Sequence, residues 1–150
     1  MPQSLARIHY HLVFSTKNRA PLIDDFIRAD LHGFIGLAQR NLGCFTELVN
    51  SMDDHVHILF RGSRTVTIAA IVEDLKTSSS KWFKTRGRKY ADFYWQNGYG
   101  IFSVSENMIP AVSTYIANQQ THHIGCSFQE EYRDILRQNN QLFDERYLWD

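Results

Sequence analysis

The sequence contains little cysteine, no long apolar run and no excess of charge of either sign. Its two cysteines, Cys44 and Cys126, lie far apart and form no Cys-x-x-Cys pattern, which predicts reduced thiols. No apolar stretch reaches the ~18 residues that a membrane-spanning helix needs, so we expect no association with a membrane. The N-terminal residues also lack the apolar segment and cleavage site of a signal peptide, and we therefore expect a cytoplasmic protein.

The composition is typical of an ordinary folded domain. Of the 150 residues, 43% are hydrophobic and 21% are charged, and the formal net charge is zero. A disordered protein would have fewer apolar residues and a larger net charge. Because no repeat, low-complexity segment or linker interrupts the chain, we predict that residues 1–150 form a single domain.

The neutral total conceals a basic middle and an acidic end. Residues 61–89 contain eight basic and two acidic residues, a local charge of +6, whereas residues 127–150 contain six acids and three bases. A phosphate backbone responds to the local field of a protein surface rather than to the summed charge. A polyanionic partner is therefore compatible with the neutral composition.

The spacing of apolar residues predicts the order strand, helix, strand, strand, helix, strand, followed by further helices. In residues 7–15, apolar side chains alternate with histidines, which indicates a half-buried strand. The other predicted strands cover residues 44–51, 54–60 and the aromatic, glycine-containing segment 93–105. The predicted helices cover residues 24–43, 66–85, 108–122 and 128–138.

This order is typical of an α+β fold of the ferredoxin-like (RRM-like) type, in which a split β-α-β arrangement builds a central antiparallel sheet. We expect the helices on one side of that sheet, plus a C-terminal helix that carries Tyr115.

Two histidines, His55 and His57, lie two residues apart in a predicted strand. Side chains at this spacing point to the same face, so both imidazoles could bind one divalent metal ion if a third ligand came from elsewhere. An isolated His-x-His is more often a pair of surface or hydrogen-bonded histidines. A second pair, His9 and His11, has the same spacing, and we interpret it as mainly structural, with His11 a candidate partner of a metal ligand.

Tyr115 and Gln119 lie four residues apart and share one face of a predicted helix. Taken alone, a tyrosine in such a helix is usually a core residue and a glutamine is usually solvated. A phenol is a poor nucleophile at its free pKa near 10, but a metal ion that polarises a phosphate helps it to attack. Combined with the two histidines, Gln119 would add an oxygen ligand, and this mixed set suits Mg²⁺ or Mn²⁺.

Motifs in the same order over almost the whole chain resemble the small HUH-superfamily single-tyrosine transposases of bacterial and archaeal insertion sequences. These are the transposase A, IS200-like type, and the REP-associated tyrosine transposases are their relatives. The matching segments are LVFSTKNRAPLI (residues 12–23), DHVHILF (54–60), LKTSSSKWF (75–83), WQNGYGIFSVS (95–105) and YIANQ (115–119).

The resemblance implies that His55 and His57 are the paired metal ligands, that Tyr115 is the nucleophile and that Gln119 is the third ligand. It implies metal-dependent cleavage and religation of single-stranded DNA at the ends of an insertion sequence, through a 5′-phosphotyrosine and with Mg²⁺ or Mn²⁺. Subterminal DNA hairpins are the expected partner, and no nucleotide cofactor is expected. A homodimer is also implied, in which the tyrosine helix of one subunit can complete the site of the other.

The basic run is the candidate surface for contact with the DNA backbone. We interpret Trp82, within this run, as a core residue rather than a platform for stacked bases, and we assign no role to His122 or His123. The candidate DNA-binding residues are Lys76, Lys81, Lys84, Arg86, Arg88 and Lys89.

The main alternative is a catalytically silent or domesticated regulator that binds hairpin DNA on the same fold. Such a binder would need none of the histidines or Tyr115, and it would present aromatic side chains where this sequence has His-Val-His. A replication-initiator or relaxase-like nickase would place its tyrosine differently and carry extra domains. A plain metallohydrolase would not need Tyr115.

Overall fold

The computed structural model of the protein describes residues 2–122 and 125–150, apart from the side chain of residue 122. The strands are β1 (His9–Ser15), β2 (Phe45–Ser51), β3 (His55–Arg61) and β4 (Gly100–Val104). The α-helices are α1 (Arg28–Asn41), α2 (Ile68–Lys84), α3 (Ile109–Ala117), α4 (Gln119–His122) and α5 (Phe128–Gln138). Short 3₁₀ helices occur at Lys17–Arg19, Arg88–Tyr90 and Glu106–Met108.

The four strands form one antiparallel sheet in the order β2-β3-β1-β4. Because β3 lies between β1 and β2, and β1 lies between β3 and β4, each helical connection crosses over an intervening strand. This is the split β-α-β arrangement, and the predicted α+β fold with a central antiparallel sheet is confirmed. Within the described residues, no helix combines the length and the apolar character that crossing a membrane would need.

Two predicted elements have different boundaries in the structure. Only Gly100–Val104 of the predicted strand 93–105 pairs with β1, and the preceding residues form a loop joined to the sheet by one bridge between Thr16 and Trp95. The carbonyls of residues 96–98 in this loop accept hydrogen bonds from the Lys76 ammonium group. The predicted helix 108–122 is divided at Asn118, whose φ of −97° and ψ of 20° end α3 before α4 begins.

One face of the sheet packs against α1 and α2 and forms the main hydrophobic core. Alternate residues of β1 and β3, including Leu12, Phe14 and Ile58, contribute to this face and are at most 1% exposed. The two helices contribute apolar residues at helical spacing, such as Leu31 of α1 and Leu75 of α2. Burial of one such side chain is worth roughly 1.5–3 kcal/mol, so this layer supplies much of the stability of the fold.

The other face of the sheet is also covered, by α3, α5 and the C-terminal residues. Val13 packs against Phe128 and Tyr132 of α5, and β1 residues His9 and His11 are only 2% and 7% exposed. The prediction of a half-buried β1 is therefore wrong, because helices lie on both sides of the sheet. The buried histidines of β1 and β3 consequently lie in a second, more polar interior layer.

Candidate active site

His55 and His57 point to the same face of β3, towards α5, and both are fully buried. Their alternation with Val56 and Ile58, which enter the main core, sets this direction. The two imidazole rings lie 5.2 Å apart between centroids. The strand thus presents two Nε2 atoms to one small volume between the sheet and α5.

Glu131 of α5 occupies that volume. Its Oε1 lies 2.8 Å from Nε2 of His57 and 3.3 Å from Nε2 of His55, and its side chain is 1% exposed. Ser127 is the N-cap of this helix and its side chain accepts a hydrogen bond from the backbone amide of Glu130. This cap fixes where the first turn places Glu131. One carboxylate therefore bridges both histidines.

Glu131 was not among the site residues predicted from the sequence, although its position carries a recognisable signal. The buried stripe of α5 contains Phe128, Tyr132 and Ile135, and Glu131 falls within this apolar stripe. A carboxylate is rarely buried without a partner, so an acid in the apolar stripe of a helix indicates a polar or metal site opposite it.

The remaining ring nitrogens of the two histidines also have partners. Nδ1 of His55 lies 2.7 Å from the Asp54 carboxylate, and Nδ1 of His57 lies 2.8 Å from Nε2 of His11. Burial lowers the pKa of His55, but hydrogen bonds with Asp54 and Glu131 outweigh this effect and raise its pKa above the ordinary value. Burial, with the neighbouring His57, lowers the pKa of His11 to about 3, so His11 is neutral. Such partners on the outer nitrogens orient imidazoles whose other nitrogen binds a metal.

Tyr115 and Gln119 reach the same carboxylate from α3 and α4. The Tyr115 hydroxyl donates to Oε2 of Glu131 at 2.7 Å, and the Gln119 amide donates to the same oxygen at 3.1 Å. Oε1 of Gln119 lies 3.2 Å from Nε2 of His55. Burial and the hydrogen bond to Glu131 raise the pKa of Tyr115, so the phenol is protonated at rest. The structure therefore brings the four predicted site residues together around Glu131.

The helix that carries Tyr115 is held against the sheet by Asn50 of β2. The side-chain amide of Asn50 donates to the carbonyl of Ile116 at 2.7 Å, and Ile116 is fully buried against Leu59. These contacts lie next to Tyr115 in the chain, so they fix the distance between the phenol and β3.

The buried cluster has the chemistry of a divalent metal site. His55, His57 and Glu131 each offer a ligand atom, and these atoms lie within 4.8 Å of one another. Two imidazole nitrogens and one carboxylate oxygen are ligands that several divalent ions accept. The residues present therefore fit a divalent metal ion, and the nearby amide oxygen of Gln119 adds a possible further donor.

The candidate DNA-binding residues lie on or next to α2, on the opposite face of the sheet from the histidines. Arg86 pairs with Asp30 at 2.8 Å, and Lys89 pairs with Asp24. Lys76 is half-buried among loop carbonyls, and burial lowers its pKa to about 8.

Five of the six candidate residues are exposed, and Lys76 is the exception. In the described part of the chain, three of the five form no ion pair: Lys81, Lys84 and Arg88. Lys84 lies 4.3 Å above the ring of the exposed Tyr94. Trp82 is partly buried and stacks on Phe34, as expected for a residue that packs against the core. His123 and the side chain of His122 lie outside the described residues.

Comparisons with known proteins agree with this architecture. A structure of a transposase candidate from Deinococcus radiodurans R1 superimposes with a TM-score of 0.62 and 23% identity, and the match covers 79% of this chain and 98% of that one. A REP-associated tyrosine transposase bound to a REP hairpin has a TM-score of 0.61 and 11% identity, with 96% and 91% of the two chains covered. At these identities the likeness concerns the fold. No curated protein sequence matched significantly.

A sequence family described as "Transposase IS200 like" matches residues 4–119, which is more than half of the chain and includes His55, His57, Tyr115 and Gln119. The family resemblance seen in the sequence motifs is thereby confirmed. The chain belongs to the IS200-like transposase family.

Proposed function

We propose that the protein cleaves and rejoins single-stranded DNA at the ends of an insertion sequence, with Tyr115 as the nucleophile and a divalent metal ion as cofactor. One observation carries this proposal. The Tyr115 hydroxyl and the Nε2 atoms of His55 and His57 all contact the buried carboxylate of Glu131, at 2.7, 3.3 and 2.8 Å. A nucleophile and a set of metal ligands thus converge on one point, as phosphoryl transfer to a phenol requires.

In the proposed reaction the Tyr115 oxygen attacks a backbone phosphorus atom, and the bond from that phosphorus to the 3′ oxygen of the preceding nucleotide breaks. The phenol gives up its proton and the released 3′ oxygen takes one up, so protons balance and no electrons are transferred. The 5′ phosphate remains on Tyr115. Because the phosphotyrosine is also a phosphodiester, a 3′-hydroxyl can reverse the attack and rejoin a strand without another energy source.

The residues of this chain have separate tasks in that reaction. His55, His57 and Glu131 would hold the metal ion, with Gln119 as an additional oxygen ligand, and we propose Mg²⁺ or Mn²⁺. When bound, the ion polarises the scissile phosphate and favours the ionised phenol. Glu131 also orients the Tyr115 hydroxyl through its 2.7 Å hydrogen bond. His11 and Asp54 orient the two imidazoles from their outer nitrogens.

DNA with subterminal hairpins is the proposed substrate. One of the similar solved structures is a REP-associated tyrosine transposase bound to a REP hairpin, and the lysines on the exposed side of α2 support a similar partner here. A cleft of about 500 Å³ between α2 and the loop at residues 94–99 is lined by Lys76, Lys81 and Lys84. We propose that Lys81, Lys84 and Arg88 contact phosphates, with Lys76, Arg86 and Lys89 mainly supporting the fold.

The wider organisation proposed from the sequence is unchanged. We propose a single domain over residues 1–150 that acts as a homodimer in the cytoplasm.

The test is covalent capture of DNA. Single-stranded DNA from both flanks of the gene, labelled at either end, is incubated with the protein and Mg²⁺ or Mn²⁺ and run on a denaturing gel. We expect a metal-dependent protein–DNA adduct with single strands but not with duplex. Tyr115→Phe should abolish the adduct and keep hairpin binding, whereas Tyr147→Phe, the same change at a 67% exposed tyrosine, should react normally.

Two results would count against the proposed reaction. An adduct that persists in Tyr115→Phe would assign the nucleophile to another residue. Tight hairpin binding without an adduct under either metal ion would favour the catalytically silent regulator.

A further inference from the structure

A second cavity, of about 420 Å³, opens beside Tyr115 between β4, α3 and α5. Tyr115 and His11 both line it, so it adjoins the proposed site of phosphoryl transfer. Its volume falls within the roughly 300–1,000 Å³ range of pockets that hold small molecules.

The chemistry of this lining suits a nucleobase and not a phosphate. Apart from His11 and Tyr115, no described residue that lines the cavity has an ionisable side chain. Phe102, Val112 and Ile135 offer apolar surface to the faces of a ring, and the amide of Gln138 offers a donor and an acceptor to its edge. The α2 cleft, which contains three lysines, has the opposite character and suits the backbone.

We propose that this cavity receives the base of a nucleotide that directly flanks the scissile phosphate, and so contributes to the choice of the cleavage site. The proposal rests on the proposed function, because it places the reacting phosphate at Tyr115. A base seated between β4 and α3 would hold its own phosphate beside the phenol. Unstacked bases in single-stranded DNA are free to enter such a pocket, whereas a base in a duplex would first have to leave its partner.

Removal of the flanking base tests the proposal. In the oligonucleotide in which the adduct assay locates the cut, the nucleotide on either side of the scissile phosphate is replaced in turn by an abasic one. Base stacking and burial in such sites predict that one of these replacements slows adduct formation by about 10-fold or more. Equal rates with the intact and both abasic strands would overturn the proposal.

A variant of the protein in which the cavity is filled tests the same proposal from the protein side. Ala111 is an exposed lining residue of α3, and Ala111→Trp should place an indole where the base would sit. This variant should react slowly with the intact strand, and the abasic strand should react with it at that same slow rate. Thr114→Trp puts the same residue at an exposed position of α3 outside the cavity and should keep the wild-type preference. Loss of base dependence in both variants would contradict a specific pocket.

A binding measurement separates this proposal from the proposed function. If no adduct forms with any strand, the cleavage reaction fails, but the cavity can still be probed with the same flanking DNA that carries 2-aminopurine at successive positions. A change in 2-aminopurine fluorescence at one position that disappears in Ala111→Trp and persists in Thr114→Trp would support the pocket. No change at any position would overturn it.

Discussion

Replacement of Glu131 by glutamine tests what the negative charge of this side chain contributes, because its size stays the same. The carboxylate contacts four groups of the site, the imidazoles of His55 and His57, the Tyr115 hydroxyl and the Gln119 amide, at 2.7–3.3 Å. Glu131→Gln keeps the size of the side chain but removes the only formal negative charge among the four proposed ligands. Imidazole and amide ligands are neutral, so the attraction for a divalent cation falls sharply.

We expect Glu131→Gln to weaken Mn²⁺ binding by about 10–100-fold, which corresponds to about 1.4–2.7 kcal/mol. Disturbing a single group that supports a metal site typically has this effect, and Glu131 is in direct contact with both histidines. The measurement is calorimetric titration of the purified protein with Mn²⁺, with the free energy of unfolding of each variant determined in urea without metal.

Glu130→Gln is the matched control for this experiment. It removes the same charge from the neighbouring position of α5, where the side chain is exposed, and it should bind Mn²⁺ like the wild type. If Glu131→Gln binds Mn²⁺ as tightly as the wild type while Gln119→Ala does not, the third ligand is Gln119 and the reasoning about Glu131 is refuted.

Three further predictions concern the DNA surface and the fold. Lys81→Glu combined with Lys84→Glu should weaken hairpin binding and flatten its salt dependence. Reversal of the charge of the exposed Arg137 on α5 should have neither effect. Equal effects of both changes would show that the DNA does not bind specifically along α2. Burial lowers the pKa of His32 to about 4. Protonation of His32 therefore leaves the free energy of unfolding unchanged above the unfolded pKa near 6.5 and lowers it progressively as the pH falls from 6.5 to 4. The free energy of unfolding of His32→Gln should therefore vary less over that interval, and an unchanged pH profile would contradict the shift. Ser127→Ala should lower the free energy of unfolding by about 1 kcal/mol, since it removes the cap of α5; no change in urea unfolding would contradict that role.

Short-range patterns in the sequence determined the fold and part of the site. The alternation of β3 has a period of two, so His55 and His57 had to share a face in any structure that keeps the strand. The four-residue spacing of Tyr115 and Gln119 likewise placed them on one side of a helical segment. This prediction held even though Asn118 divides the helix, because both side chains still reach Glu131.

Long-range packing decided the rest. Glu131 lies 74 residues from His57 in the chain, and only the docking of α5 against the sheet brings the two together. The contact of His11 with His57 depends on the pairing of β1 with β3. In the same way, the packing of α1 places Asp30 next to Arg86. One candidate DNA-binding side chain is therefore already in an ion pair within the protein. Local spacing is encoded in backbone geometry, whereas the partner of a buried charge depends on which elements pack together, and that is decided by the tertiary structure.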